Sequence, residues 1–78
     1  MTRKKVQLNV AEGGGTREAR VGRLVKLQSH GVLFWVRVIE VISEGYFRGT
    51  VHDAMPAEHL LRAGDKIKFK SRHVYEVV

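Results

Sequence analysis

The sequence predicts a mainly β protein: a small, strongly bent antiparallel sheet or a five- to six-stranded barrel, with one short helix. Three observations carry this expectation. Two segments, "KKVQLNV" and "KIKFK", alternate apolar and polar residues with period two. Between them lies "VLFWVRVIEVI", a run dense in β-branched and aromatic side chains. Turn signals, "GGG", "SHG", "SEG" and the Gly64-Asp65 pair, bound short runs and leave a count of five or six short strands and one small helix.

The elements follow in order. In "KKVQLNV", Val6, Leu8 and Val10 face one way and Lys5, Gln7 and Asn9 the other, as in a half-buried first strand. "AEGGGTRE" ends it: three consecutive glycines cost too much backbone entropy inside an element, so residues 11–18 form a flexible loop. These glycines lack the strand–helix spacing and the following Lys-Ser/Thr of a phosphate-cradling loop. In "REARVGRLVKLQS", Val21, Leu24 and Val25 fit a helical face, while Ala19, Val21, Val25 and Leu27 fit alternation. Gly22 disfavours a helix by ~1 kcal/mol relative to Ala, which leans the segment toward a strand around Leu24–Gln28, after at most one helical turn.

"VLFWVRVIEVI" is the long central strand, and "SEGY" turns it back into "YFRGTVHD" as a hairpin. Gly49 inside that returning strand marks a bulge or a bend. "MPAEHLLRAG" supplies the short helix: Pro56 suits a first turn, Leu60 and Leu61 give apolar contact, and Gly64 a left-handed stop. "KIKFK" and a short closing strand in "HVYEVV", with Val74 and Val77 inward, complete the chain.

Length and charge bound the function. Seventy-eight residues suit a single domain over 1–78, with a basic arm at 1–5 and no second core, too small for a multi-layer enzyme. The absence of cysteine removes disulfides, thiolate metal sites and thiol nucleophiles, and suits a reducing cytoplasm. No apolar run approaches a membrane span, and the basic start is not followed by a signal-peptide core, so a soluble cytoplasmic protein is expected. Fourteen Lys and Arg against eight Asp and Glu leave a formal charge of +6, which favours an anionic partner. The same charge also serves plain solubility.

The second half carries a resemblance. "VKL", "FWVRVIEV", "FRGTVHD", "LLRAGDKIKF" and "HVYEV" stand in the order of a pattern W-V-x-V, then G-T, then L-x-x-G-D-x-I-x-F and a final strand. Residues 25–77 thus resemble a family of small bacterial domains of unassigned function. The resemblance implies a β-rich fold and brings no chemistry. Members of that family are commonly more acidic, so the basic character here is a departure.

Two strand faces are candidates for binding. In "KIKFK", Ile67 and Phe69 turn to the core while Lys66, Lys68 and Lys70 project together, roughly 6.6–6.8 Å apart. Such a row follows a phosphate backbone, and equally protects an edge strand from aggregation. In the hairpin, Trp35 and Arg37 share one face, and Tyr46, Arg48, Thr50 and His52 share a face of the partner strand. Aromatic rings interleaved with Arg suit single-stranded nucleic acid, although Trp35, in the most apolar stretch, is expected in the core. The expected contacts are Arg37, Tyr46, Arg48, Lys66, Lys68, Lys70 and Arg72, aided by the "TRKK" arm.

His30, His52, His59 and His73 lack the spacing of metal ligands, and no nucleophile–base–acid set is apparent. No enzyme activity, metal or cofactor is expected. The leading expectation is a non-enzymatic module contacting DNA or RNA through a basic face. The alternative is a protein-interaction or inhibitor module that binds an acidic protein, with apolar surface shared in a homodimer.

Overall fold

A computed structural model describes residues 6–11 and 19–78. The expected basic arm at 1–5, and all but Ala11 of the expected loop at 11–18, lie outside the described residues. The rest forms one antiparallel sheet of five strands: β1 (Leu24–Ser29), β2 (Val32–Ser43), β3 (Tyr46–Val51), β4 (Lys66–Lys70) and β5 (Glu76–Val77). Their spatial order is β4-β3-β2-β1-β5, so the last strand returns to pair with the first. β4 and β5 do not pair with each other, and the sheet is bent and open, as in the first of the two expected architectures.

The β1–β2 hairpin turns on two residues. His30 (φ 50°) and Gly31 (φ 77°) both adopt the left-handed region, which matches the right-handed twist of the flanking strands. At the next hairpin the left-handed position falls to Gly45.

Alternation then sorts the side chains. Val25 and Leu27 of β1, Phe34, Val36 and Val38 of β2, Phe47 and Val51 of β3, and Phe69 of β4 are all buried on the inner face. Phe47 and Phe69 stack with ring centroids 5.5 Å apart. Leu61 and Val74 close over this layer, and Val6 and Leu8 pack against its rim.

The sheet bends at Gly49. Its Cα sits between Val38 of β2 and Ile67 of β4 in the ladder. A Cβ there would overlap Val36 Cγ1 and lie 2.8 Å from the Arg37 carbonyl oxygen, so only glycine permits this approach. The expected irregularity appears opposite it: the β2–β3 register shifts between Val38 and Glu40, and again between Val41 and Ser43.

Two expectations are corrected. The first segment, with Val6 and Leu8 half-buried, forms no ladder strand. It is tied instead by Asn9 N–H to the Gln28 carbonyl and Ala11 N–H to the Arg72 carbonyl, both 2.9 Å, and Val10 turns out to solvent. The short helix expected over 55–64 does not form; the one helical element among the described residues is a 3-10 turn elsewhere, at Ser71–His73. In the 52–65 connection, side chains take over the backbone partners a helix would supply. Leu61 N–H donates to His59 Nδ1, and the Arg62 guanidinium donates to the carbonyls of Ala57, His59 and Leu61. The expected short closing strand does form, as the two-residue β5, with Val74 and Val77 turned inward.

Candidate nucleic-acid interface

The outer face of the sheet carries the polar half of each alternation. Ladder partners define rows across it: Lys70 beside Tyr46 beside Ser43; Lys68 beside Arg48 beside Glu40; Lys66 beside Thr50 beside Arg37 beside Leu24. A further row runs Trp35, Lys26, Glu76. The ladder therefore brings Arg37, Tyr46, Arg48, Lys66, Lys68 and Lys70 onto one face. Arg72 is exposed in the 3-10 turn just beyond β4, outside the ladder.

These cations are not equivalent. Lys66, Lys68 and Lys70 are exposed on an edge strand, and among the described residues none of them enters an ion pair. Arg48 is committed: its Nη1 lies 2.9 Å from Glu40 Oε1. The bulge at Ile39 creates that pair. Strict alternation from Val38 would turn Glu40 inward, whereas one extra residue returns it to the outer face opposite Arg48. Arg37 donates from Nη1 to the Gly22 carbonyl at 2.7 Å, which fixes the side chain without neutralising it. Lys26 pairs with Glu76 at 3.1 Å.

Positive potential gathers at the end of β4. His73 Nδ1 accepts the Lys70 N–H at 3.0 Å. Burial, followed by the charges of Arg72 and Lys70, pushes the His73 pKa below the ordinary imidazole value.

Trp35 departs from the expected core position. It lies between buried Phe34 and Val36 in the chain and so points to the outer face, half-buried. Lys26 Nζ stands 5.0 Å from its ring centroid. Its backbone N–H donates to Asp53 Oδ2 at 2.9 Å, and its carbonyl accepts the His52 N–H at 2.9 Å, which extends the β2–β3 ladder past Val51. Lys26 is the member of this face that sequence reasoning missed, and Trp35, weighed for it beside Arg37, is the one assigned to the core instead. The available signal was the buried–exposed alternation of β2, hidden because apolar residues occupy both of its faces.

Two histidines have ring nitrogens bonded to the backbone, His73 as above and His59. His59 is buried, with Nδ1 accepting from Leu61 N–H and Nε2 donating to the Ser29 carbonyl at 3.2 Å, so both ring nitrogens serve the backbone. Its ring packs edge-on to His30 and Phe34. Among the described residues no group of three or more His, Asp or Glu is arranged to hold a metal. No helix among them is long and apolar enough to cross a membrane.

Comparison with protein-family models, with curated protein sequences and with solved structures finds no match for this chain.

Proposed function

We propose that the protein is a small non-enzymatic binding module that contacts nucleic acid electrostatically through the outer face of its sheet. The observation that supports this most is the unpaired row Lys66–Lys68–Lys70, flush with Arg37 and Tyr46. Because β4 is an edge strand, its lysines also discourage strand addition, and that role alone would explain them. Edge protection does not require the basic and aromatic residues two strands further in, at Arg37 and Trp35. Nucleic-acid binding uses both, the guanidinium on phosphate and an aromatic ring against the bases.

The test is a fluorescence-anisotropy titration of labelled single- and double-stranded oligonucleotides across a range of salt. Each neutralised phosphate contributes a slope of about 0.7 in log K against log salt on single strands. Replacing Lys66, Lys68 and Lys70 by Gln should therefore lower the slope by about 2. An affinity that is flat in salt, or no binding at low salt, refutes the proposal.

A second reading has its own observation. Beyond the end of β1, the β2 arm exposes Ile39, Val41 and Ile42, and Val21 is exposed in the turn before β1. Apolar side chains at such a position favour a protein partner or a second copy. A dimer that persists at high salt in sedimentation, without any oligonucleotide binding, would select this reading over the first.

A further inference from the structure

The outer face holds two aromatic positions separated by a cationic stretch. Tyr46 sits at one end, beside Lys70. Trp35 sits at the other, opposite His52, whose N–H it accepts. From Tyr46 to His52 the chain advances six residues, about 20 Å at 3.3–3.4 Å each. Alongside run Lys70, Lys68 and Lys66, spaced at two-residue steps of about 6.6–6.8 Å, the scale of one sugar–phosphate repeat. Trp35 lies two strands in from β4, about 9–10 Å across the sheet. Along the strands it stands one two-residue step, about 6.6–6.8 Å, beyond the row of Lys66, Thr50 and Arg37, so the base it meets belongs to the nucleotide beyond the Lys66 phosphate.

We infer that this face seats a single-stranded stretch of about four nucleotides, with phosphates along Lys66, Lys68 and Lys70 and a base stacked on the Trp35 indole. The inference rests on the nucleic-acid reading above and adds the strandedness, the site length and the stacking residue. A duplex keeps the faces of its bases inside the stack and offers none to an indole, whereas an unpaired strand offers one at every nucleotide. Lys26 over the indole does not block this. It is held by a single exposed carboxylate, Glu76, and by a cation–π contact that a stacked base outcompetes. Displaced from the ring, the ammonium remains within reach of the same strand.

Trp35 is the only tryptophan of the chain, so its emission reports the contact directly. Oligodeoxythymidylates of two to eight residues, the same strands annealed to their complements, and inorganic polyphosphate are titrated against the whole protein, with anisotropy or sedimentation reporting binding. The expected result is stoichiometric quenching of Trp35 by single strands alone, with affinity rising steeply up to about four nucleotides and slowly beyond. Trp35→Leu should weaken single-strand binding by about 5–140-fold with the salt slope unchanged, since no phosphate contact is lost. Trp35→Phe should recover part of that loss. Binding without quenching, or equal quenching by polyphosphate, overturns the stacking site while leaving the electrostatic reading in place. Absence of any binding removes both.

Discussion

Gly49→Ala tests whether the bend of the sheet is a steric requirement. The added methyl would overlap Val36 Cγ1, sit 2.8 Å from the Arg37 carbonyl oxygen and 3.2 Å from Phe69 Cε1. Val36 and Phe69 are both buried, so neither can swing out to solvent. The carbonyl belongs to the ladder of β2 and moves only with its strand. Overpacking of this kind costs about 1–3 kcal/mol, and a backbone contact places this site near the top of that range. Against it stands a gain of about 0.4–1 kcal/mol from the stiffer unfolded chain. The net loss is about 2 kcal/mol, from a total of about 4–12 kcal/mol for a domain of this length. At about 4–8 °C per kcal/mol, the melting temperature should fall by about 8–16 °C. Urea unfolding followed by Trp35 emission, together with a thermal melt by circular dichroism, measures both quantities. Gly31→Ala is the comparison: its Cβ meets nothing within 4 Å, so its cost is the backbone strain of a positive φ alone. If Gly49→Ala unfolds within about 0.5 kcal/mol of the parent, close packing of β3 against β2 and β4 is not what bends the sheet.

Three further outcomes are expected. His73 has a folded pKa below its unfolded value of 6.5, so the unfolded chain binds the proton more readily. Stability should therefore be complete above about pH 6.5 and decline as the pH falls from there toward the folded pKa; a His73 imidazole titrating above 6.5 by NMR would contradict it. Arg62→Ala should cost about 1–2 kcal/mol by releasing the carbonyls of Ala57, His59 and Leu61, with Arg62→Lys recovering only a part because an ammonium lacks the planar fork. Glu40→Gln should change stability by less than about 1 kcal/mol, since its pair with Arg48 is substantially exposed, yet free Arg48 for phosphate and steepen the salt dependence on single strands by about 0.7. An unchanged slope would show that Arg48 makes no phosphate contact.

Alternation of apolar and polar residues made strands legible only in part. "KIKFK" alternates and forms where expected, and "LVKLQS", whose surroundings also fit a helical face, forms the strand toward which Gly22 tips it, whereas "KKVQLNV" alternates as cleanly and joins no ladder. β2 was legible as a strand from its β-branched and aromatic content, but its two faces were not. Leu33 and Trp35 face outward while Phe34 and Val36 face inward, so hydrophobicity has no period there and burial was read for Trp35 where the structure gives half-exposure. The lysine row of the candidate face was visible in full. The Glu40–Arg48 pair was not, because it depends on a one-residue slip between strands that neither strand's own pattern encodes. The helix expected over 55–64 shows the opposite failure. Its local signals were sound, but Leu60 and Leu61 do not share a fate: Leu61 is buried at 2% exposure and Leu60 is exposed at 46%. His59 and Arg62 then satisfy the backbone by routes that propensity does not anticipate.

The connection from β3 to β4 has a consequence for how the protein can be altered. Its path is held by few anchors: His59 inside, Arg62 outside, and a clasp of Val51 N–H to the Asp65 carbonyl and Gly64 N–H to the Val51 carbonyl at its exit. Ala54, Ala57, Glu58, Leu60 and Ala63 between these anchors are exposed. A library randomised at those positions, with His59, Leu61, Arg62, Gly64 and Asp65 kept, would vary a surface segment joined to the same two strands that bear Tyr46 and the lysines. New recognition could be grafted beside the basic face without rewriting the sheet beneath it.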